Sequence, residues 1–397
     1  MMYTTFQVVL LGVVAMVMAY LALLSLLAFL TKPRREFAVN TLRRFTIVIP
    51  AHNEAGTIER TLHSLNRIEY DLERYTVVVI ADNCSDQTAE IAWAHGATVL
   101  ERNNRAKRGK GYALAWAFER LPFDGDAVVV VDADSVVSRN FLLVMNFYLE
   151  QGARVIQAND LPLPQPNAWS SEVTRIGMTL YNYARPLGRQ AIGCSAGLRG
   201  NGMCFSADVL RDVPWKAFSL TEDVEYGLQL LLCGIPVTFA PEAAVLASMP
   251  TNAKNALTQR ARWEAGRYPV IKKYAIGLLI EAMRRRSVAV FDAFIDLLIP
   301  PFVNLFAISF LFFLLTLLTR DILSHWIVIG WVLVLMLGII HVLLGLASAG
   351  SDRDLYRALL YIPRYVAWKI GLYLKMLLRG SRREWIRTTR EVAGSRT

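Results

Sequence analysis

Long runs without charge bracket a stretch of alternating strand and helix patterns, and this layout constrains the chain more than any other feature. Gln7–Leu30 contains no Asp, Glu, Lys or Arg. It is long enough to cross a hydrocarbon core, which takes about 20 apolar helical residues. With no basic n-region and no A-x-A-like cleavage site, it is expected to stay as an anchor and not be removed as a leader. Lys32-Pro33-Arg34-Arg35 follows at once, and basic flanks favour the cytoplasmic side of a span. Leu297–Thr319 and Ile322–Gly350 are also free of charge and are joined only by Arg320-Asp321. They read as a hairpin that leaves the cytoplasm and returns.

Composition agrees: 54% of residues are hydrophobic, above the usual soluble range. The net charge of +10 is placed beside these runs, so it suits anionic lipid and not a nucleic-acid groove. Leu355–Leu378 differs from the other runs because it carries Arg357, Arg364, Lys369 and Lys375. At about 100° per residue, Arg357, Arg364 and Lys375 fall within roughly 20° of one line. The stretch is expected to lie in the membrane interface, with a fourth span as the alternative. Cys84, Cys194, Cys204 and Cys233 form no C-x-x-C pair and read as reduced thiols of a cytoplasmic protein.

Three segments follow: an anchor and basic linker (1–44), a cytoplasmic domain (45–274), and interfacial helices, hairpin and basic tail (275–397). Within the domain, "FTIVIP", "YTVVVIADN", "ATVLER" and "AVVVVDAD" read as strands separated by helices, two of them over Glu54–Asn66 and from Ser85 or Asp86 to Gly96. Strands apolar on both faces and alternating with helices predict an α/β sheet with its ligand beyond the strands' C-terminal ends. No G-x-G-x-x-G or GK[ST] loop follows a strand, so dinucleotide and P-loop sites are disfavoured.

Polar clusters at the strand ends carry the chemistry. Asp132-Ala133-Asp134 closes four valines. In a strand i and i+2 share a face, so both carboxylates are expected at one spot, where hard oxygens suit Mg²⁺ or Mn²⁺ bridging a diphosphate. The alternative is a solvated strand end in which Asp134 and Ser135 cap the next helix. Asp82 ends another strand, placed either to meet a base or ribose or to make an Asx-turn. Lys110, between Gly109 and Gly111, joins a point charge to a backbone that can approach phosphate, or starts a solvated helix. Ser219-x-x-Glu222 reads as a capping box, which accounts for Glu222 and leaves Asp223 as a first-turn acid or a general base. Upstream, Ser195–Ser206 is Gly-rich around an apolar strand, suggesting close approach of a ligand to backbone. In "NALTQRARWEAGR" (255–267), Arg262 can neutralise charge on a leaving pyrophosphate, and Trp263 offers a face on which a sugar ring can stack. Gln259 shares the helix face of Trp263. The alternative is an interfacial Trp/Arg helix docked on headgroups.

Asp82, Asp132-x-Asp134, Thr221-Glu222-Asp223 and Gln259-x-x-Arg262-Trp263 occur in this order after Pro50-Ala51-His52-Asn53-Glu54. The chain thereby resembles the membrane-bound family-2 glycosyltransferases, which include cellulose, chitin, hyaluronan and poly-N-acetylglucosamine synthases. The resemblance covers about Phe45–Tyr274 and the membrane layout around it. It implies a GT-A fold with a mixed sheet, and inverting, metal-dependent transfer of a sugar from a nucleoside diphosphate, usually UDP, onto a growing polysaccharide. By position, Asp82 is implied to contact the base, Lys110 the diphosphate, Asp132 the nucleotide and Asp134 the metal. Asp223 is the implied base, with Glu222, Gln259, Arg262 and Trp263 on the acceptor side and Arg262 also facing the donor. Polymer-secreting relatives usually have more spans. A homo-oligomer, an export partner, or non-processive transfer to a lipid therefore stay open beside a self-contained polymerase. A sugar-nucleotide-sensing subunit and a transporter are the readings from other classes. Asp292 and Asp296 support the transporter unless they face the interface or pair with Arg284–Arg286.

Overall fold

The computed structural model describes residues 2–122, 125–163, 169–248, 253–319 and 322–365; the side chains of residues 2–4, 169–170, 253–264, 319 and 322–324 fall outside that description. Helix α1 (Met2–Leu30) precedes an alternation of β1 (Phe45–Ala51), α2 (Ile58–Leu65), β2 (Tyr75–Asp82), α3 (Thr88–Ala94), β3 (Thr98–Arg102) and α4 (Lys110–Phe118). Then come β4 (Ala127–Val130), the short β5 (Ser135–Val137), α5 (Phe141–Glu150) and β6 (Val155–Pro162). Helices α6 (Trp169–Thr179) and α7 (Arg185–Ala191) are joined by a π-helical turn, Leu180–Ala184. They lead to β7 (Met203–Ser206), α8 (Ala207–Asp212), α9 (Glu222–Leu232) and β8 (Val237–Ala247). The remainder is helical: α10 (Ala253–Arg285), α11 (Val288–Leu298), α12 (Phe302–Thr319), α13 (Ile322–Ser348) and α14 (Arg353–Ala358).

Two compact units divide the described chain, one of residues 33–163 and 193–294, the other of residues 1–32, 164–192 and 295–365. In the first, the eight strands form one mixed sheet in the order β3-β2-β1-β4-β7-β6-β8-β5. The first four strands pair in parallel, as helical crossovers require, and β7 then runs antiparallel between β4 and β6. Pro50 lies in β1 beyond its last partner in β4 (Val48–Val130), so the ladder on that side loses nothing to the missing N–H. Side chains of β1, β2, β4, β6 and β7 form a continuous core with α2 and α5, including Ile47, Ile49, Val79, Val129, Ile156 and Phe141. Helix α2 starts later than its pattern suggests, because Glu54–Thr57 form a turn closed by the Thr57 N–H on the Glu54 carbonyl. Helix α3 stops as predicted, with Gly96 at φ 81°.

In the second unit, Thr5–Leu30 and His325–Ser348 are long and apolar enough to cross a membrane. Val14, Met18 and Leu21 of α1 pack with Trp331 and Val334 of α13, and the Ser25 hydroxyl meets His341 Nδ1 at 2.7 Å. The run Leu297–Thr319 is not a straight hairpin arm. It breaks at Ile299-Pro300-Pro301, with α11 and α12 at 68°, so this pair is at most one bent span. Two consecutive prolines remove helix N–H donors and push the residue before them out of the helical region.

Residues 164–192, inside the segment 45–274, cluster with these apolar helices. Arg185 and Arg189 of α7 pair with Asp296 at 2.6 and 3.0 Å. Asp296 thus has its partners on α7, and Arg284 and Arg285 bind Glu281, three and four residues back on their own helix. Of the stretch Leu355–Leu378, α14 and a following 3₁₀ turn (Leu359–Tyr361) are described; residues 366–378, which carry Lys369 and Lys375, lie outside the described residues.

Candidate active site

The C-terminal ends of β1, β2 and β3 form a mouth whose polar groups are paired. Asp82 and Arg102 face each other in the β2–β3 register, and their ion pair closes at 2.5 Å with both side chains buried. Asn83 donates to Asp82 Oδ1 at 2.8 Å, and Arg102 also reaches the Lys107 carbonyl. Burial raises the Asp82 carboxyl, and Arg102 opposes that rise. His52 Nδ1 lies 2.6 Å from the Asp82 carbonyl, while Asn53 Oδ1 accepts from the Ser85 amide.

Lys110, the first residue of α4, is the centre of the second group. Its ammonium binds Asp132 Oδ1 at 2.5 Å and the Gly200 carbonyl. Burial lowers its proton affinity, but Asp132, Glu222 and Asp223 together hold it above its ordinary value. Gly111 packs so tightly on the Ala217 carbonyl and Glu222 Cβ that an added Cβ would clash, which fixes the start of α4 against the segment before α9. Gly200, at φ 87°, passes close to Asp223, whose Oδ2 would lie 3.2 Å from an added Cβ.

Asp132-Ala133-Asp134 departs from the expected geometry. β4 ends at Val130, and the three residues form a turn closed by the Ser135 N–H on the Asp132 carbonyl at 3.2 Å. The strand rule therefore does not place these carboxylates. The turn is set from α2, whose Thr61 hydroxyl donates to the Ala133 carbonyl at 2.9 Å and whose Arg60 donates to the Asp134 carbonyl at 3.0 Å. Neither Asp134 nor Ser135 caps a helix, since β5 follows directly. Asp134 is buried, and so is Asp160 near the end of β6. Burial pushes the Asp160 carboxyl well up, and the charges of Asp132 and Asp134 push it further. Asn201 links the group: its Oδ1 accepts the Asp132 amide, and its Nδ2 donates to Ser135 Oγ and to Asp160 Oδ1 at 3.2 Å.

Glu222 and Asp223 open α9. Burial raises both carboxyls; the charge of Asp223 adds to the rise at Glu222, while Lys110 and Arg199 oppose it at Asp223. The capping box is corrected: Thr221 is the N-cap residue, and Glu225, not Glu222, accepts the Phe218 and Ser219 amides at 3.2 and 3.0 Å. Glu222 is thus left without the structural explanation its spacing offered. Glu225 also binds Lys273 at 2.7 Å, and the Thr221 hydroxyl donates to the Gly266 carbonyl at 3.1 Å, so α10 docks on α9. Gly266 abuts Leu220 and Thr221, whose side chains would lie 2.9–3.0 Å from an added Cβ. The backbone of Gln259, Arg262 and Trp263 runs in α10 just before that contact, while their side chains lie outside the described residues.

Of the residues singled out in the sequence, the structure brings Lys110, Asp132, Glu222 and Asp223 into one electrostatic group; Asp82 belongs to the mouth at β1–β3. Asp160, Asn201, Arg102 and Gly266 were missed. Asp160 had a usable signal, an acid closing "VIQAN" as Asp82 closes "VVVIA". Asn201 had none. Asp132, Asp134 and Asp160 offer carboxylate oxygens, the hard donor type that suits Mg²⁺ or Mn²⁺, and the charges of Asp132 and Asp134 crowd on Asp160.

The mixed sheet, parallel in its first half and carrying its acids beyond the strand ends, defines a GT-A type fold. A solved structure shares it: the mannosyltransferase PcManGT from Pyrobaculum calidifontis, in complex with GDP-Man and Mn²⁺, superposes at TM-score 0.54 with 14% identity, over 86% of this chain and 99% of its own. Residues 43–266, more than half of the sequence, match "Glycosyltransferase like family 2", and the chain belongs to that family. Among curated relatives, the probable glycosyltransferase YdaM of Bacillus subtilis is 24% identical over 66% of this chain and 63% of its own length. The poly-beta-1,6-N-acetyl-D-glucosamine synthase of Staphylococcus aureus is 25% identical over 59% of this chain and 57% of its own. The chain thus spans less than two thirds of the length of these curated relatives.

Proposed function

We propose that the chain is an inverting membrane glycosyltransferase that moves a sugar from a nucleoside diphosphate, with UDP as the first nucleotide to test, onto a growing polysaccharide. The observation that carries this reading is the position of Lys110, which touches Asp132 and Gly200 while Asp223 lies against the same glycine. A cation for the donor diphosphate and a carboxylate for the acceptor thus meet within one small group.

In this reading Asp82 lies toward the base and Asp132 toward the nucleotide, and Lys110 exchanges its Asp132 partner for diphosphate oxygens. Asp134, with Asp160 beside it, holds Mg²⁺ or Mn²⁺, which when bound supplies positive charge against the leaving diphosphate. Asp223 takes the proton of the acceptor hydroxyl as that oxygen bonds to the sugar's anomeric carbon. The carbon–oxygen bond to the diphosphate breaks on the opposite face, so configuration inverts and the nucleoside diphosphate leaves. The raised proton affinity of Asp223 suits a base, because it brings the carboxylate closer to the working pH. Gln259, Arg262 and Trp263 serve the acceptor end with Glu222, and the Gly266 contact sets where α10 carries them. Thr5–Leu30 and His325–Ser348 hold the enzyme in the cell membrane, with the domain on the cytoplasmic side.

The test is to incubate detergent-purified protein with a panel of nucleotide sugars and Mg²⁺ or Mn²⁺, with and without lipid extract, and to weigh the products. A ladder of sugar additions supports a polymerase, and a single addition to lipid replaces it with a lipid transferase. Donor binding without transfer or hydrolysis contradicts the enzyme and leaves a sensor.

A further inference from the structure

We propose that Glu59, His63 and His95 form a second metal site, of Zn²⁺ type, that clamps α2 to α3 away from the acidic cluster. Among the described residues this is the one trio of His, Cys, Asp or Glu side chains whose ligand atoms lie within 4.8 Å of one another. Glu59 and His63 stand at i and i+4 on the exposed face of α2, and His95 caps the C-terminus of α3. Glu59 Oε1 lies 3.7 Å from His63 Nε2 and 3.6 Å from His95 Nε2. Ligands at Zn–N and Zn–O distances of about 2.0–2.2 Å form a tetrahedral edge of roughly 3.3 Å, so closing on an ion takes only side-chain adjustment.

The orientation of His95 is the second observation. Its Nδ1 donates to the Ile91 carbonyl at 2.8 Å, which directs Nε2 toward the Glu59 carboxylate, 3.6 Å away. This is the arrangement that metal-bound histidines use, with the far nitrogen anchored to a backbone acceptor. Two imidazoles and one carboxylate favour zinc over Mg²⁺, which prefers an all-oxygen octahedron, and water takes the fourth position. The consequence reaches the acidic cluster through α2, because Thr61 and Arg60 of the same helix hold the Ala133–Asp134 turn. The loop before α2 carries Asn53, and the loop before α3 follows Asp82. The clamp therefore ties together two elements that position the proposed donor site.

The experiment uses the full chain without a histidine tag, stripped by chelator in detergent and titrated with Zn²⁺ alone in excess Mg²⁺. One equivalent is expected to bind and to raise the unfolding temperature. Substitution by Co²⁺ is expected to give the intense visible absorption of a four-coordinate ion. His63→Ala and His95→Ala should each weaken Zn²⁺ binding by at least about tenfold, the loss that even outer-shell changes can cause. Both should also lose the Co²⁺ spectrum, whereas Asp134→Asn should keep it. No Zn²⁺ uptake by the wild type overturns the site, and so does unchanged affinity in both histidine variants. Loss of the Co²⁺ spectrum in Asp134→Asn alone assigns the ion to the acidic cluster and likewise overturns it. None of these readouts depends on glycosyl transfer, so the site stands or falls apart from the proposed activity.

Discussion

The mouth at β1–β3 and the group around Lys110 both set carboxylates against a cation, yet their charge balance differs. At the mouth, Asp82 has a buried guanidinium of its own, and the loop amides are taken up by Asn53 and Asp86. Around Lys110, the carboxylates of Asp132, Glu222 and Asp223 act on one ammonium, and Asp160 feels both Asp132 and Asp134. The first arrangement is finished and holds a shape. The second sets several carboxylates against one ammonium, the imbalance that a divalent cation and a rearranged Lys110 would relieve in the proposed diphosphate site.

The contrast can be broken from either side. The largest effect is expected from Asp134→Ala or from chelator, each of which should remove divalent-dependent turnover; full activity in chelator contradicts the metal role. Arg102→Ala leaves the buried Asp82 carboxylate without its partner, and breaking such a pair costs about 3–5 kcal/mol. Thermal unfolding of the detergent-solubilised protein should show that loss, and an unchanged transition would mean the mouth is not held by this pair. The pH profile comes next. Burial raises Asp223, and burial together with the charge of Asp223 raises Glu222 to about 7. A base must be ionised to act, so transfer should fall as pH drops through the raised value, by about tenfold per unit below it. A limb in the ordinary carboxylate range near pH 4 would place the base elsewhere. The smallest change is expected for Lys273→Ala: its end of the pair with Glu225 is exposed, and such pairs contribute about 0–1 kcal/mol. A larger loss would make the α9–α10 contact more central than its exposure suggests.

The parallel half of the sheet was legible because β1–β4 are short apolar runs separated by helices with clear stops, such as Gly96. The mixed half was not, since β5 and β7 are too short to show a period and β5 joins the far edge of the sheet, beside β8. Lys110, Asp132, Glu222 and Asp223 could be named from motif order, but not their geometry. Asp132 and Asp134 sit in a turn held by Thr61 and Arg60 from another element, which local spacing cannot reveal. The same limit explains Glu222. A box at Ser219-x-x-Glu222 fits the helix signature, yet the Phe218 and Ser219 amides turn to Glu225, three residues beyond Glu222. Asp296 found Arg185 and Arg189 across more than a hundred residues of chain, a pairing that no sequence window contains. The bend at Pro300-Pro301 was written in the sequence and was passed over because charge, not helix continuity, defined the run.

The central claim is that the acidic group around Lys110 joins donor diphosphate and acceptor base, and Asp223→Asn tests it most directly. Donor binding and sugar transfer should be measured side by side on wild type and variant in the same detergent. The account predicts binding within about threefold of wild type and transfer lower by about two to four decades, the size of a general-base contribution. A variant that binds donor and retains most of its transfer rate would contradict it.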